Sequence, residues 1–451
     1  MSRSAFAAII LAAGSGTRMN SLLPKVMHPV AGRPMVKHVL AALEPLTPTA
    51  TVVVIGPRME SVARLAEPAI SVVQDPPLGT GDAVRAGLEA LTGRLAPEGE
   101  IEDVLVLYGD TPLLRSETMA RLLSEQRRAP AAILLAGMRP PDPGPYGRLL
   151  TAADDRVLRI VEAADATPQE LGIGLCWGGL MVIEARHASA LVNALDCDNA
   201  KNEFYLTAIV GLAGGLGLEC RALELPTDEL IGVNTRAELA GAEALMQKRL
   251  RRQAMAAGAS LVAPETVFLS ADTRLGRDVV VEPHVVFGPG VEIGDGARIR
   301  SFSHLEGATV GSGAIVGPFA RLRLGAVLEN EVHVGNFVEV KEARLGAGVK
   351  ANHLSYIGDA FVGAGTNIGA GTITCNYDGV NKWRTTIGQR AFIGSNSVLV
   401  APVAVGNGAY VAAGSVITHE VPAGSLSIAR GRQVDKPGRA VELRERLRRK
   451  H

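Results

Sequence analysis

The sequence is poor in aromatic residues and in cysteine, and neither sign of charge is in excess. Phe, Trp and Tyr make up only 4% of the 451 residues, so any large core must be built mainly from aliphatic side chains. The 46 basic and 46 acidic residues cancel, which argues against a nucleic-acid or membrane partner held by bulk charge. The four cysteines are scattered and form no CxxC pair, which predicts free thiols in a reducing compartment: Cys176, Cys197, Cys220 and Cys375.

Long hydrophobic runs are also scarce. The apolar run from Ala5 to Ala13 covers nine residues, which is too short to span a bilayer. A secretory signal peptide is the alternative, but a polar segment follows without a small-x-small cleavage site. We therefore expect a buried first strand and a cytoplasmic protein.

Residues 1–236 alternate between continuous apolar runs and helical patterns. Such runs are typical of strands covered on both faces, and the alternation predicts an α/β doubly wound (Rossmann-like) domain with its ligand site at the carboxyl ends of the strands. The predicted strands are Phe6–Leu11, Thr51–Ile55, Val104–Leu107, Ala132–Ala136 and Gly178–Ile183, and the predicted helices include Gly81–Leu91 and Ser116–Arg127.

Apolar residues then recur at helical spacing over Arg236–Ala257, which predicts one amphipathic helix ended by Gly258. We accordingly assign residues 1–236 to a first domain, 237–257 to a linker helix and 258–451 to a second domain. The basic segment from Arg432 onwards is expected to be a loosely held tail.

Aliphatic residues recur every six positions in the second domain, without a break from Ile387 to Ile417. The same step begins at about Val267, is clear from Val281 and continues with one-residue slips. This period is neither helical nor that of a simple strand; it favours a triangular parallel β-helix over the alternative, a Gly/Val-rich sandwich. The step fails between Ile368 and Ile387, so residues 369–386 are expected to bulge out as a functional loop.

Two cations in this repeat predict an anion site. Three faces of six residues make 18 residues per coil, so Arg323 and Lys341 should stack about 4.8 Å apart and repel each other unless an anion lies between them. Two solvated surface charges are the alternative. His353 follows shortly afterwards as a candidate base, with a packing or surface imidazole as its alternative. His304, His333 and His353 lack a close pair, which argues against a three-His metal site.

The first domain opens on a glycine-rich turn, Leu11-Ala12-Ala13-Gly14-Ser15-Gly16-Thr17-Arg18-Met19, with Pro24-Lys25 beyond it. Such a turn after a first strand brings backbone N–H groups close to phosphates, although it can also be purely structural. Neither GxxxxGK[ST] nor GxGxxG is present. Asp110 follows a predicted strand, either as a hard oxygen ligand for Mg²⁺ or as a helix N-cap before Thr111-Pro112.

The string LAAGxGTRM…PK resembles the sugar-phosphate nucleotidylyltransferases. The order of motifs over nearly the whole chain is similar to a family of bifunctional N-acetylglucosamine-1-phosphate uridylyltransferases / glucosamine-1-phosphate N-acetyltransferases. In the first domain the motifs are Gln74, Leu78-Gly79-Thr80-Gly81, Tyr108-Gly109-Asp110, Tyr146-Gly147-Arg148, Ile160-Val161-Glu162 and Gly232-Val233-Asn234. In the second they are Arg321-Leu322-Arg323, Gly335-Asn336-Phe337-Val338-Glu339-Val340-Lys341, His353-Leu354-Ser355-Tyr356 and Cys375-Asn376-Tyr377-Asp378-Gly379.

For the first domain, the resemblance implies a nucleotidyltransferase that joins UTP to N-acetylglucosamine 1-phosphate and releases pyrophosphate. Mg²⁺ would be held by Asp110 and Asn234. The family usually has an Asn in a Glu-Ile-Asn-x-Gly segment that contacts the sugar, whereas Glu170-Leu171-Gly172-Ile173-Gly174 stands here. The implied substrate residues are Leu11, Ala12, Ala13, Gly14, Arg18, Lys25, Gln74, Gly79, Thr80, Tyr108, Gly109, Asp110, Gly147, Glu162 and Asn234. Among them, Arg18 and Lys25 would face the phosphates, and Gln74, Gly79 and Thr80 the uracil. Gly147, Glu162 and Asn234 would face the sugar and the nucleotide.

For the second domain, the resemblance implies a left-handed parallel β-helix of hexapeptide repeats, in a homotrimer, that acetylates glucosamine 1-phosphate with acetyl-CoA as co-substrate. His353 would be the general base. The implied sugar-phosphate residues are Arg323, Lys341, Tyr356 and Asn367, and the acetyl-CoA residues are Ala370, Asn376, Tyr377, Ser395, Ala413 and Arg430.

The end product that the resemblance implies is UDP-N-acetylglucosamine, for peptidoglycan and lipopolysaccharide synthesis. Two alternatives stay open on the sequence. The chain could be a single-activity nucleotidylyltransferase whose β-helix is a non-catalytic trimerisation or regulatory module. The first domain could also use another sugar phosphate or another nucleotide.

Overall fold

The structure is a computed structural model that describes residues 5–14, 16–96, 99–199 and 202–449. Ser15 of the glycine-rich turn and both chain ends lie outside the described residues. The chain divides into two compact units, Met1–Arg249 and Leu250–His451. All four cysteines are free, as predicted. Within the described ranges, no helix combines the length and the apolar character that crossing a bilayer requires.

The first unit is a sheet flanked by helices. Its strands are β1 (Phe6–Leu11), β2 (Pro29–Val30), β3 (Arg33–Pro34), β4 (Ala50–Ile55), β5 (Ile70–Val73), β6 (Asp103–Tyr108), β7 (Ile133–Met138), β8 (Arg148–Thr151), β9 (Val157–Val161), β10 (Cys176–Glu184) and β11 (Cys220–Glu224). Its helices are α1 (Met35–Leu43), α2 (Glu60–Ala66), α3 (Thr80–Glu89), α4 (Ser116–Arg128), α5 (Pro168–Leu171), α6 (Ala185–Asn193), α7 (Ile209–Gly215) and α8 (Arg236–Ala256).

The strand order of the main sheet creates a ligand site at one edge. The order is β11-β7-β10-β6-β1-β4-β5, with β8 and β9 attached beside β10. Strand β1 is parallel to β4 and β6, whereas β10 is antiparallel to β6 and β7. The chain leaves β1 towards β4 and returns on the other side to β6, so the carboxyl ends of β1 and β6 flank a topological switch point. The doubly wound prediction is confirmed, and the structure adds that the sheet is mixed.

Both faces of this sheet are covered. All six residues of β1 are buried, and they alternate between two separate hydrophobic cores, as the period of two in a strand requires. The five predicted strands and both predicted helices are present, with slightly displaced ends. Strands β5, β8, β9 and β11 were missed because they are short and partly exposed.

Helix α8 covers the predicted span almost completely and ends before Gly258, whose φ is +105°. Its apolar stripe is weaker than expected, because Ala242 and Met246 are buried but Met255 is 39% exposed. The division between the two units falls inside this helix, between Arg249 and Leu250. The assignment of residues 237–257 as a separate linker stays a prediction.

The second unit is the left-handed parallel β-helix. Its strands are β12 (Ser260–Leu261), β13 (Arg274–Leu275), β14 (Val280–Val281), β15 (Val286–Phe287), β16 (Glu292–Ile293), β17 (Arg298–Ile299), β18 (His304–Leu305), β19 (Ala308–Val310), β20 (Ile315–Val316), β21 (Arg321–Leu322), β22 (Ala326–Leu328), β23 (His333–Asn336), β24 (Glu339–Leu345), β25 (Lys350–His353), β26 (Tyr356–Val362), β27 (Asn367–Ile368), β28 (Ile373–Cys375), β29 (Thr385–Ile387), β30 (Phe392–Ile393), β31 (Val398–Val400), β32 (Val403–Val405), β33 (Tyr410–Val411), β34 (Val416–Ile417) and β35 (Leu426–Ser427). A final helix, α9, spans Arg439–Arg448.

The aliphatic residues that recur every six positions all point into the interior of the β-helix. The repeating aliphatic residues are buried and belong to one hydrophobic core. Parallel ladders pair Leu322 with Val340 and Ile299 with Val316. The residues of the first pair are 18 positions apart in the sequence, and those of the second pair are 17 apart. Each one-residue slip in the hexapeptide step therefore marks a coil that is one residue shorter. The narrow interior accommodates aromatic side chains poorly, and Phe287 is the one ring among the described residues of this core.

One expectation for this unit was wrong, and one element was not predicted. Residues 369–386 do not all bulge out, because Ile373 pairs with Tyr356 below it and with Val398 above it. The additional length of the coil between Ile373 and Val398 is therefore confined to an excursion over 376–384. The tail contains helix α9, which was not predicted. Its described residues are all exposed, so the expectation of few contacts with the rest of the chain holds.

We expect Leu399→Ala, in the interior column, to lower the free energy of unfolding by about 2–5 kcal/mol, because it opens a cavity in a close-packed core. Leu399 is fully buried, whereas Leu426 is 63% exposed. Leu426→Ala, the matched control, should change the free energy by about 0.5 kcal/mol or less. Denaturant titration of the full chain measures both, and equal effects would contradict the interior assignment.

Candidate functional site

A cavity of about 570 Å³ lies at the predicted edge of the first unit, at the carboxyl ends of β1 and β6. The structure places around it every residue that the sequence assigned to uridylyl transfer except Gly109. Gly109 lies immediately behind the wall, where its N–H donates to the carbonyl of Leu11 at 2.9 Å. The predicted substrate residues are spread along the sequence of the first domain, and the fold brings them together around one cavity.

The glycine-rich turn is shaped for close approach. Gly16 has φ +64°, and a Cβ there would lie 2.6 Å from Cβ of Lys25, so only glycine allows the turn to pack on that lysine. A Cβ on Gly14 would meet nothing within 4 Å, which leaves open space for a ligand beside the backbone. Arg18 is exposed in the short helix Thr17–Met19 that follows.

Lys25, Asp110 and Asn234 form the polar centre of the cavity. The Lys25 ammonium donates to the Asp110 carboxylate and, at 3.0 Å, to Oδ1 of Asn234. Asp110 is not a helix N-cap, because α4 begins only at Ser116. The hydrogen bond from the Val233 N–H to the Asp110 carbonyl, 2.9 Å long, brings the segment of Asn234 close to Asp110.

This centre fits the implied Mg²⁺. Asp110 and Asn234 present two hard oxygen atoms to a single cation, here the ammonium of Lys25. Mg²⁺ needs few protein ligands when phosphates and water supply the rest. Among the described residues, no group of three or more His, Cys, Asp or Glu side chains could hold a metal ion, so a three-His site is not formed.

The wall predicted to face uracil is held by hydrogen bonds to backbone and side-chain groups. The amide of Gln74 donates to the Gly79 carbonyl at 2.9 Å and to Asp82 at 2.8 Å. Gly79 has φ +117°, and a Cβ there would lie 2.7 Å from the carbonyl oxygen of Phe204. The Thr80 hydroxyl accepts from the N–H of Leu206 at 3.1 Å. Glycine is therefore required at position 79 for two reasons: its positive φ, and the close approach of the Phe204 backbone.

Gly147, Glu162 and Asn234, which are predicted to face the sugar and the nucleotide, line the cavity, and Tyr108 lines it as well. Glu162 accepts from the hydroxyl of Thr207 at 2.9 Å. Burial, reinforced by the charge of Glu162, raises the pKa of Tyr108, so its phenol stays protonated at neutral pH.

Gly172, the expected departure from the family pattern, does not line this cavity. It ends α5, and its N–H donates to the carbonyl of Gln169 at 3.2 Å. The segment of this region that does line the cavity is Trp177-Gly178-Gly179, which the sequence reasoning missed. Trp177-Gly178-Gly179 also matches the spacing of Asn-x-Gly, a signal that could have identified it.

In the second unit, the predicted cations converge and a third joins them. The register of Leu322 with Val340 places Arg323 next to Lys341, and Glu339 accepts from Arg323 at 2.9 Å. A hydrogen bond to Lys382 and its charge, followed by burial and the charge of Arg323, lower the pKa of Lys341. Lys382 was missed, because only the folded path of the 376–384 excursion returns it to this corner.

The excursion is an ordered hairpin and not a free loop. Asp378 accepts from the N–H groups of Val380 and Asn381 and from the indole of Trp383, at 2.8, 2.7 and 2.7 Å. These bonds lower the pKa of Asp378 to about 2. At the base of the hairpin, Asn376 is buried and donates to Asp359, with its amide nitrogen 3.4 Å from the hydroxyl of Tyr356. Tyr377 is exposed.

His353 is oriented by a neighbouring coil. Its Nδ1 lies 2.8 Å from Oδ1 of Asn336, and with that oxygen as acceptor Nδ1 carries the proton and Nε2 presents its lone pair. His353 ends β25 and Tyr356 begins β26, so both flank one corner of the coil. Asn336 was missed as a site residue, although it occupies the position that pairs with His353 in the preceding coil.

Four of the six residues predicted to bind acetyl-CoA continue that corner through successive coils. The backbone contacts are Gly371 N–H to the His353 carbonyl, Asn396 N–H to the Ala370 carbonyl and Gly414 N–H to the Ser395 carbonyl; Arg430 donates to the Ala413 carbonyl at 2.7 Å. One column thus holds His353, Ala370, Ser395, Ala413 and Arg430.

Asn367 is the predicted sugar-phosphate residue that the structure does not bring to this cluster. It begins β27 and pairs with Lys350 on a different face. Among the described residues, no hydrogen bond joins its side chain to Arg323 or Lys341.

Comparison with known proteins matches both units. Residues 8–171 match the MobA-like NTP transferase domain, residues 272–307 the bacterial transferase hexapeptide (six repeats), and residues 384–419 the hexapeptide repeat of succinyl-transferase. Hexapeptide repeats suggest an oligomer.

Relatives match over nearly the whole length. The chain is 53% identical over 447 residues to the Bifunctional protein GlmU of Paramagnetospirillum magneticum, covering 98% of each chain. It is 55% identical to that of Sphingopyxis alaskensis, covering 98% of this chain and 97% of the relative, and 54% identical to that of Azorhizobium caulinodans, covering 98% of each. With such identity over both units, the chain belongs to the GlmU family of bifunctional proteins.

Proposed function

We propose that the chain is a bifunctional transferase that makes UDP-N-acetylglucosamine. The second unit acetylates glucosamine 1-phosphate with acetyl-CoA, and the first unit transfers UMP from UTP to the product and releases pyrophosphate. One observation carries the proposal: Arg323, Lys341 and Lys382 converge on one face of the coil, close to Tyr356, which follows the oriented His353 by three residues. A non-catalytic β-helix would give no reason to hold three cations together against their mutual repulsion.

Uridylyl transfer requires two anions to meet. A phosphate oxygen of N-acetylglucosamine 1-phosphate attacks the α-phosphorus of UTP, forming one P–O bond while the bond to pyrophosphate breaks. Lys25 and the N–H groups of the glycine-rich turn bind the phosphates, and their positive ends offset charge that builds up on the transferring group.

Mg²⁺ is proposed as the cofactor of this half, with Asp110 and Asn234 as its protein ligands. When bound, it would supply screening of the triphosphate charge. The protein itself orients the substrates. The wall formed by Gln74, Gly79 and Thr80 orients uracil, and Gly147 and Glu162 position the sugar.

Acetyl transfer requires a neutral amine. The amino group of glucosamine 1-phosphate is cationic near neutral pH and has no lone pair to attack a thioester. Nε2 of His353 accepts a proton as the nitrogen attacks the carbonyl carbon; the C–N bond forms, the C–S bond breaks, and the thiolate of CoA takes up a proton. Asn336 keeps the imidazole in the required tautomer, and the three cations bind the phosphate.

The acetyl-CoA residues are proposed to act in a homotrimer. The column from Ala370 to Arg430 runs along the outside of the coils, where a neighbouring chain can complete the site. An adjacent exposed row of stacked rings supports this assembly, with Phe302, Phe319 and Phe337 about 5 Å apart. We propose a cytoplasmic location, where UTP and acetyl-CoA are available.

His353→Ala should lower kcat for acetyl transfer by about 10²- to 10⁴-fold, because it removes the general base. Separate assays of CoA release and pyrophosphate release measure the two activities. Pyrophosphate release from UTP and N-acetylglucosamine 1-phosphate should be unchanged, as should both activities in the control His304→Ala, an exposed imidazole on another coil. Undiminished acetylation by His353→Ala would refute the assignment.

Asp110→Asn keeps the shape of the side chain but removes its charge. We expect pyrophosphate release to fall by about 10²-fold or more, with a higher Mg²⁺ concentration needed for half-maximal rate, while CoA release is unaffected. Asp154→Asn, in an exposed turn, is the matched control. A variant with normal uridylyl transfer and normal Mg²⁺ dependence would contradict the role given to Asp110.

Lys382→Ala should raise KM for glucosamine 1-phosphate by about 10-fold with little change in kcat, because it removes a charged contact to the phosphate. It should also move the pKa of Lys341 up towards its ordinary value, since Lys382 is the main cause of its lowering. Steady-state kinetics and NMR titration of the lysine measure these effects. Lys436→Ala, an exposed cation in the tail, should change neither; an unchanged KM in Lys382→Ala would place the phosphate elsewhere.

A further inference from the structure

Arg236, the first residue of α8, contacts both ends of one short segment of the first unit. Its Nε donates to the carbonyl of Met19 at 3.1 Å, and its Nη1 lies 3.3 Å from Nδ1 of His28. The segment between these two contacts leads from the glycine-rich turn to Lys25. Arg236 itself is not one of the described residues that line the uridylyl-transfer cavity.

The middle of this segment has little packing of its own. Residues 20–23 are all exposed, whereas Met19 and His28 are buried. An exposed stretch gains little stability from burial, so its path depends on how its two ends are held. The two buried ends are the points that Arg236 contacts.

The imidazole of His28 depends on Arg236 for its orientation. A guanidinium nitrogen only donates, so Nδ1 of His28 accepts, and the ring is neutral with its proton on Nε2. Burial, followed by the charge of Arg236, lowers the pKa of His28, which favours this neutral form. Nε2 is shielded and has no hydrogen-bond partner among the described residues. The contact with Arg236 is therefore the hydrogen bond that fixes the ring.

Each end of the segment carries one of the two cations that are proposed to face the phosphates. Arg18 directly precedes Met19 in a short helix. Lys25 is joined to His28 by a hydrogen bond, 3.2 Å long, from the His28 N–H to the Lys25 carbonyl. A shift at either end therefore displaces a positive side chain from the phosphates.

The first turn of α8 also holds the other side of the polar centre. Glu238 accepts from the N–H groups of Asn234 and Thr235, at 2.7 and 2.8 Å. Asn234 in turn accepts from the Lys25 ammonium at 3.0 Å. One helical turn thus fixes the segment of Lys25 through Arg236 and the partner of Lys25 through Glu238.

We propose that Arg236 is a positioning residue of uridylyl transfer, which holds Arg18 and Lys25 at the spacing that the triphosphate of UTP requires. Its planar guanidinium donates in two directions from one rigid group, which a single ammonium cannot reproduce. Misplacing a binding group by about 1 Å can cost about 10²-fold in rate, so a residue outside the cavity can control the reaction. This inference rests on the proposed uridylyl transfer.

Arg236→Ala removes both contacts. We expect KM for UTP to rise by about 10-fold and kcat for pyrophosphate release to fall by about 10-fold, while KM for N-acetylglucosamine 1-phosphate changes by less than about threefold. CoA release should be unchanged. Arg252→Ala, which removes an exposed arginine of the same helix, is the matched control and should alter none of these values.

Arg236→Lys separates charge from geometry. It keeps the positive charge at the start of α8 but offers one ammonium in place of the guanidinium, so its KM for UTP should stay within about threefold of that of Arg236→Ala. Recovery of the unaltered KM in Arg236→Lys would show that charge alone suffices and would overturn the inference. An unaltered KM for UTP in Arg236→Ala would overturn it as well.

Amide hydrogen exchange of the full chain without substrates tests the positioning apart from any reaction. In Arg236→Ala, exchange over residues 17–28 should be about 10-fold faster, because the two ends are released, whereas exchange over β4 should be unchanged. Unaltered exchange over residues 17–28, or an equal increase over β4, would overturn the inference. No pyrophosphate release by the unaltered chain would instead refute the proposed function, and the exchange comparison would still decide whether Arg236 holds the segment.

Discussion

Parallel strand pairing is the constraint on which both sites depend. In the first unit it aligns the carboxyl ends of β1 and β6, so that the glycine-rich turn and Asp110 meet although a long stretch of sequence separates them. In the second unit it stacks residues one coil apart, which brings Arg323 beside Lys341 and Asn336 beside His353. Side chains distant in sequence become neighbours because backbone hydrogen bonds set the register.

The two proposed phosphate sites differ in how their charges are arranged. The first offers backbone N–H groups and a lysine that is already paired with Asp110, so its positive charge is balanced before a ligand arrives. The second brings three cations together, and the lowered pKa of Lys341 reflects their mutual repulsion. A bound phosphate would relieve that repulsion, so the proposed site should favour a dianionic group.

Periodic features could be predicted from the sequence, and local exceptions to them could not. The step of six from Ile387 to Ile417 sufficed for the β-helix, and the run Phe6–Leu11 for the first strand. The limits of the excursion were wrong, because Ile373–Cys375 keeps its place in the coil without the aliphatic step. Trp177 was missed for a related reason, since a bulge after it alters the direction of side chains in a way that the sequence pattern does not register.

The sequence by itself determined the two folds, the length of a coil and the chemical types available at each site, because these follow from hydrophobic periodicity and from motifs that are local in the chain. Only the tertiary structure decided which of those residues meet. The return of Lys382 to Lys341, the partner of His353 and the exclusion of Gly172 from the cavity depend on the path of a hairpin, a neighbouring coil and a helix end. Such contacts join distant segments, and no short-range pattern encodes them.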